Sequence, residues 1–110
     1  MNISITARHF KAHESLREYA FQEIQKLEKY YDGIISAEII FSYEKAQNSI
    51  KNVELIVAVQ GTVLKALDKS DDYAKSLDMA IDKMESQIKK YKDKHHQKNK
   101  KEIRKVRQKI

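Results

Sequence analysis

A chain of 110 residues with no proline and only two glycines, Gly33 and Gly61, contains almost nothing that interrupts regular structure. Proline removes a backbone donor and glycine frees the backbone, so their scarcity predicts long helices and strands joined by short turns. The length suits one compact domain, large enough to bury a core but without surplus. Cysteine is absent, which excludes disulfides and thiolate metal sites and fits a reducing compartment.

The apolar residues change period along the chain. Residues 2–8 alternate, with Ile3, Ile5 and Ala7 on one face, and read as a strand. Residues 14–31 switch to helical spacing through Leu16, Ala20, Ile24, Leu27 and Tyr31. Ser15 and Glu18 fit a capping box at the start of this helix, with His13 as the alternative cap. Asp32-Gly33 is expected to end it, with glycine in the left-handed C-cap conformation. Alternation returns over residues 36–44 (Ala37, Ile39, Phe41, Tyr43) and, most strictly, over 50–60 (Val53, Leu55, Val57, Val59). Residues 46–49 form a polar loop between them. Gln60-Gly61-Thr62 is a tight connection to a last strand over 63–68. Residues 72–94 carry Leu77, Ile81, Met84, Ile88 and Tyr91, alternately four and three apart, as the seam of a long second helix. The order is β-α-β-β-β-α. It predicts an α+β two-layer sandwich, a four-stranded sheet with two helices on one face and the other face turned to solvent or a partner. Residues 1–94 make the domain. Residues 95–110 are too polar for the core and are expected to form a basic tail, mobile when free, with Ile103, Val106 and Ile110 at helical spacing.

The formal net charge of +6 conceals an asymmetry. Residues 83–109 hold twelve Lys and Arg against three acids, whereas residues 1–82 hold ten against thirteen. Positive charge gathered at one end suggests a polyanionic partner, nucleic acid or an anionic membrane surface, although a solvated lysine-rich tail accounts for the same pattern. The N-terminus lacks the charged head and apolar run of a signal peptide, and no apolar run approaches the length of a membrane span. The expectation is a soluble cytoplasmic chain.

Catalytic chemistry finds little support. His9 and His13 straddle a strand end and a loop without a matched carboxylate, and His95-His96 sit among lysines that repel a cation, so no metal site is expected. Glu14 with Glu18 and Asp78 with Asp82 are like-charge pairs on helix surfaces, with no cleft to raise one pKa. Two isolated glycines make no phosphate loop, and no serine lies in a nucleophile elbow. The reading is a protein that is not an enzyme, with no cofactor and no small-molecule substrate. Among the tyrosines, Tyr31, Tyr43 and Tyr91 fall on apolar stripes and belong to the core, leaving Tyr30 and Tyr73 as the freer candidates for stacking. On the second helix Lys83, Lys90 and Lys94 share one side, with Lys75 roughly in line. Lys26 and Lys29 flank the stripe of the first helix. Helices packed side by side would merge these rows into one basic surface able to follow a phosphate backbone. Asp78, Asp82 and Glu85 lie nearby, so a solvated face balanced by acids is the competing reading.

An ordered set of residues then resembles a known family. It comprises Ile3-Ser-Ile-Thr-Ala-Arg8-His9, Leu16-Arg17-Glu18-Tyr19, Lys26-Leu-Glu28-Lys29-Tyr30-Tyr31-Asp32, Glu44-Lys45, the isolated Gly61, and the run from Asp82-Lys83-Met84-Glu85 through Gln87-Ile88-Lys89-Lys90-Tyr91-Lys92. These resemble the ribosome hibernation promoting factors, also called ribosome-associated inhibitors or, in older usage, sigma-54 modulation proteins, over about residues 1–94. The resemblance implies a fold like a double-stranded RNA-binding domain with an extra N-terminal strand. It implies binding to the 30S subunit or 70S ribosome through 16S rRNA, in the channel used by messenger and transfer RNA, and hence a block to initiation. On that reading Arg8, Lys26, Lys29, Lys83 and Lys90 match basic family positions and are candidate rRNA contacts, to which helix geometry adds Lys75, Lys92 and Lys94. The family's Asp-Met-Tyr at the start of the second helix stands here as Asp72-Tyr73-Ala74, which displaces the tyrosine by one place. The C-terminus resembles that of the short members, so the additional domain that pairs ribosomes in the long members is not expected. A general duplex-RNA binder and a protein-interaction regulator of transcription are the alternative functions.

Overall fold

The structure, a computed structural model, describes the backbone of residues 1–44 and 47–108 and the side chains of residues 1–44 and 50–94. In chain order the elements are strand β1 (Asn2–Ala7), helix α1 (Glu14–Gln25) with a 3₁₀ turn (Lys26–Lys29), strands β2 (Ser36–Glu44), β3 (Gln47–Val59) and β4 (Thr62–Ser70), and helix α2 (Tyr73–Gln108). α2 thus runs past residue 94, the end expected for it, while the side chains of 95–110, with the expected spacing of Ile103, Val106 and Ile110, lie outside the described residues. The strands form one sheet in the order β1-β2-β3-β4. β1 runs parallel to β2, the two being joined by the α1 crossover, and β2, β3 and β4 pair antiparallel through short connections. The α+β two-layer architecture expected from the sequence is the one observed.

Register explains the core. Ile5, Ile39, Leu55 and Ala66 stand in one row across the sheet, and Ala7, Phe41, Val53 and Asp68 in the next row on the same face. Against this face pack Ala20 and Ile24 of α1, Leu27 of the 3₁₀ turn, and Leu77, Ala80, Met84 and Ile88 of α2, all fully buried. Each large apolar side chain removed from water in this way contributes about 1.5–3 kcal/mol, so the seam residues of α2 fix its seat on the sheet. Ser76 is the buried polar exception. Its hydroxyl donates to the Lys51 carbonyl at 2.8 Å and lies 2.7 Å from the Ser70 hydroxyl.

Three local expectations are corrected. Residues 46–49 are not a loop throughout, since β3 begins at Gln47, which pairs with Glu44. Ser15 is not the cap of α1. His13 holds that position in an extended conformation with no side-chain capping bond, and its carbonyl accepts from the amides of Leu16 and Arg17. Gly33 does not supply a left-handed C-cap, since Gly61 is the glycine with positive φ, +85°, among the described residues. The helix instead tightens into the 3₁₀ turn, and Gly33 is required for space: a Cβ there would fall 2.5 Å from Cζ of Tyr31. Gly61 serves the two-residue β3–β4 turn closed by the Val59–Thr62 pair.

Candidate nucleic-acid interface

With its seam on the sheet, α2 presents two flanks. At about 100° per residue, Lys83, Gln87, Lys90 and Lys94 fall on one side of the seam, and Asp78, Glu85, Lys89 and Lys92 on the other. The first flank faces β4. The Lys83 ammonium lies 2.9 Å from the Asp68 carboxylate and donates to the Leu67 carbonyl at 3.4 Å, and the Gln87 amide donates to the Lys65 carbonyl at 2.6 Å. Further along, Lys90 and Lys94 border an open groove of about 470 Å³ with Leu64, Gln87, Tyr91 and Asp93. Its floor is held where the Tyr91 hydroxyl donates to the Gln60 carbonyl at 2.7 Å.

The second flank faces α1. Tyr19 donates to the Asp78 carboxylate at 2.5 Å, which pushes the phenol pKa up to about 12, with burial adding to the rise. At the far end the Lys92 ammonium donates to the Tyr30 carbonyl at 3.3 Å, and Lys89 sits 5.1 Å from the Tyr30 ring centroid and 3.5 Å from the Glu85 carboxylate. Glu85 also accepts from the Tyr30 hydroxyl and raises its pKa. Lys26 pairs with Glu23 at 2.8 Å, and Lys29 is exposed on the same 3₁₀ turn.

The expected merging of Lys26 and Lys29 with Lys83, Lys90 and Lys94 into one surface therefore does not occur. The second row lies on the flank of α2 turned away from α1. The α2 lysines that reach the 3₁₀ turn are Lys89 and Lys92, of which only Lys92 is a candidate from the sequence. Lys75 is exposed near the start of α2, and its eight-residue separation places it about 80° around the helix from Lys83. Arg8 is exposed just past β1. Among the described residues, the side chains of Arg8, Lys29, Lys75, Lys90 and Lys94 carry no ion pair, while Lys26 and Lys83 do. Among the described residues the helix lysines thus form two basic areas: the 3₁₀ turn with Lys89 and Lys92, and the groove of Lys90 and Lys94.

Tyr73, expected to be free for stacking, is not. Its ring stacks on Phe10 with centroids 5.2 Å apart and meets Phe41 edge-on, and its hydroxyl donates to the Ser42 carbonyl at 2.9 Å. Burial, with Tyr43 nearby, raises its pKa. Phe10, which lies on no apolar stripe of the sequence, joins this cluster because His9 takes a positive φ of 66° and turns the chain inward after β1. Among the described residues no group of three or more His, Cys, Asp or Glu is gathered to hold a metal ion, and no helix is long and apolar enough to cross a membrane.

Comparison with known proteins matches this architecture to named relatives. The chain is 28% identical over 94 residues to a ribosome hibernation promoting factor of Pseudomonas putida, spanning 86% of this chain and 89% of that protein. It is 29% identical to the ribosome hibernation promoting factor of Azotobacter vinelandii, with 86% and 85% covered. A solved structure of a ribosomal subunit interface protein from Coxiella burnetii superposes with a TM-score of 0.77 at 30% identity, covering 84% of this chain and 99% of that one. The N-terminal domain of Thermus thermophilus Protein Y shares the fold with a TM-score of 0.73 at 24% identity, covering 83% and 99%. Residues 3–96, which contain the sheet save Asn2, both helical seams and both basic areas, match the model of one family, and the chain belongs to it: sigma 54 modulation protein / S30EA ribosomal protein.

Proposed function

We propose that this chain is a ribosome-associated hibernation factor, a non-enzymatic protein of the cytoplasm that binds the small ribosomal subunit through 16S rRNA. Occupying the channel used by messenger and transfer RNA, it blocks initiation by steric occlusion. The observation that carries this reading is the family match over residues 3–96, with relatives named for ribosome hibernation that align over nearly their whole length. The surface supports it. Lys26, Lys29, Lys89 and Lys92 at one end of the α1–α2 pair, and Lys90 and Lys94 along the β4 groove, present ammonium groups a helical turn or so apart, suited to phosphates rather than base edges. Arg8, just past β1, and Lys75, near the start of α2, are further exposed cations. Lys83 is the weakest of the candidates, because Asp68 and Leu67 already engage it.

Sedimentation of the purified chain with ribosomes at low and high salt tests the proposal. Co-sedimentation with small subunits or whole ribosomes, lost as salt rises, is the expected result. A chain that stays at the top of the gradient beside intact ribosomes would overturn it. Excess duplex RNA competing as well as ribosomes would favour a general duplex binder. Co-purification with RNA polymerase instead of ribosomes would favour a transcriptional role.

A further inference from the structure

The two edges of the sheet differ. At β4 the carbonyls of Lys65 and Leu67 point out of the sheet and accept from Gln87 and Lys83, and the exposed side chains of Lys65 and Lys69 add charge. β1 ends the sheet on the other side, with β2 as its neighbour. The amides of Asn2 and Arg8 donate to the Ile35 and Phe41 carbonyls, so residues 2, 4, 6 and 8 turn their backbone groups to β2. Ile3, Ile5 and Ala7 turn theirs outward, and no side chain among the described residues bonds to them. Strand Asn2–Ala7 holds no charged side chain, no proline and no bulge, the devices by which sheet edges avoid one another.

One flank of α1 borders this bare edge. Ala20 is buried against the sheet, and Tyr19, about 100° around the helix from it, reaches Asp78 on α2. Phe21 stands about 100° around in the opposite sense, on the flank turned from α2 toward β1. Its ring is 44% exposed, unusual for so large an apolar side chain. Glu28 lies on the same side, its half-exposed carboxylate 3.5 Å from the ammonium of Met1 at the start of β1. Arg17, one turn before Phe21, is exposed on this flank as well. The flank therefore carries a cation toward one end, an anion at the other, and an exposed ring between them.

We infer that the β1 edge docks a second copy of this chain, the two β1 strands pairing antiparallel about a two-fold axis at Ile5 to make one continuous sheet. In that register the outward groups of Ile3, Ile5 and Ala7 meet those of Ala7, Ile5 and Ile3 in the other copy. The side chains match too. On the helix-bearing side Ile5 faces Ile5 and Ile3 faces Ala7, which extends the apolar layer. On the open face Ser4 faces Thr6 and Asn2 faces Arg8, so no charge on the strand meets its like. Antiparallel strands bring the α1 flanks together antiparallel as well. Arg17 of one copy then lies toward Glu28 of the other, with the two Phe21 rings covered between them. Any strand could satisfy the backbone of β1, but this flank of Arg17, Phe21 and Glu28 is complementary to itself reversed, which selects a second copy. The groove of Lys90 and Lys94 lies by the opposite edge and stays open in each copy.

The test is sedimentation equilibrium of the full chain over a concentration series. The parent is expected to be a monomer–dimer mixture whose dimer share rises with concentration. Ser4 and Thr6 are exposed, so charges placed there spare the core. Ser4→Lys with Thr6→Lys opposes like charges across the two-fold axis, as does Ser4→Glu with Thr6→Glu. Each double variant is expected to sediment as a monomer, and an equal mixture of the two to recover the dimer. Phe21→Ala is expected to weaken dimerisation about tenfold. Hydrogen exchange in the unaltered chain gives a readout that no variant's folding can disturb. The amides of Ile3, Ile5 and Ala7 are expected to exchange more slowly as concentration rises, while those of Val63, Lys65 and Leu67 keep their rates. A parent that is monomeric throughout overturns the inference. So does a dimer that survives both charged variants, a mixture of them that stays monomeric, or protection that grows at β4 instead of β1.

Discussion

The Lys83 ammonium reaches across from α2 to β4, 2.9 Å from the Asp68 carboxylate, with the Leu67 carbonyl at 3.4 Å. One turn on, Gln87 donates to the Lys65 carbonyl at 2.6 Å. β4 is an edge strand, and its outward carbonyls would otherwise invite another strand. Val63 and Leu67, both more than half exposed on β4, would make such an addition more favourable. The double variant Lys83→Ala, Gln87→Ala is expected to keep the fold and to self-associate more than the parent as concentration rises. Light scattering across a concentration series checks this, and scattering identical to that of the parent would show that these side chains do not guard the edge.

The same contacts divide the lysines of α2 by role. Lys90 and Lys94 have no ion-pair partner among the described residues, so their charge is available to phosphate. Lys90→Gln with Lys94→Gln is expected to weaken ribosome binding and to reduce the slope of log affinity against log salt by about 0.7–0.9 for each phosphate that is no longer neutralised. Lys83→Gln alone is expected to change that slope far less. Salt titrations of ribosome pelleting compare the two, and equal slope changes would return Lys83 to the interface.

The elements and the α+β architecture were legible because their signals are local. Alternation through Val53, Leu55, Val57 and Val59 and the seam of Leu77, Ile81, Met84 and Ile88 each name a buried face without reference to anything distant. What was not legible was which flank of α2 meets α1. Lys83 and Lys90 on one side of the seam and Lys89 and Lys92 on the other look equivalent in sequence. Only the packed arrangement, through Asp78 on Tyr19 and Lys92 on Tyr30, decides between them. The residues of the Phe10–Tyr73 cluster were divided for the same reason. Tyr73 meets Phe10 only because the backbone turns at His9, and a positive φ at a residue other than glycine has no reliable sequence sign.

Ser76 pins the start of α2 to the sheet through the Lys51 carbonyl at 2.8 Å and the Ser70 hydroxyl at 2.7 Å. With the side chain fully buried, no water replaces it readily once removed. Ser76→Ala leaves the carbonyl short of a donor, and the expected loss is about 1–3 kcal/mol of stability. Urea denaturation measures it. The Phe10–Tyr73 cluster shares this anchor, so the variant is also expected to broaden the ring resonances of Tyr73 and Phe10. A midpoint within error of the parent would mean that the carbonyl finds another donor.

Tyr19 gives the fold a component of its alkaline sensitivity. The Asp78 carboxylate accepts a hydrogen bond from the phenol, and burial adds to the effect, so the folded-state pKa is pushed up to about 12 from an ordinary 10.0. The folded chain therefore holds this proton more tightly than the unfolded chain. The resulting stabilisation is fully present below pH 10 and is lost progressively as pH rises through about 12. Tyr30, Tyr31 and Tyr73 are raised as well, so the parent's total alkaline loss is not the readout for Tyr19. The difference from Tyr19→Phe is. At neutral pH the variant is expected to be less stable by about 1 kcal/mol, the modest value suited to a partly exposed bond to a carboxylate. That gap should shrink between pH 10 and 12, as the parent loses what the variant never had. Asp78→Asn, which keeps an acceptor but removes the charge, should show a smaller gap that narrows over a lower part of the same range. Denaturation midpoints of the three chains measured from about pH 7 to 12 provide the check, and a gap that stays constant with pH would dissociate Tyr19 from the alkaline transition.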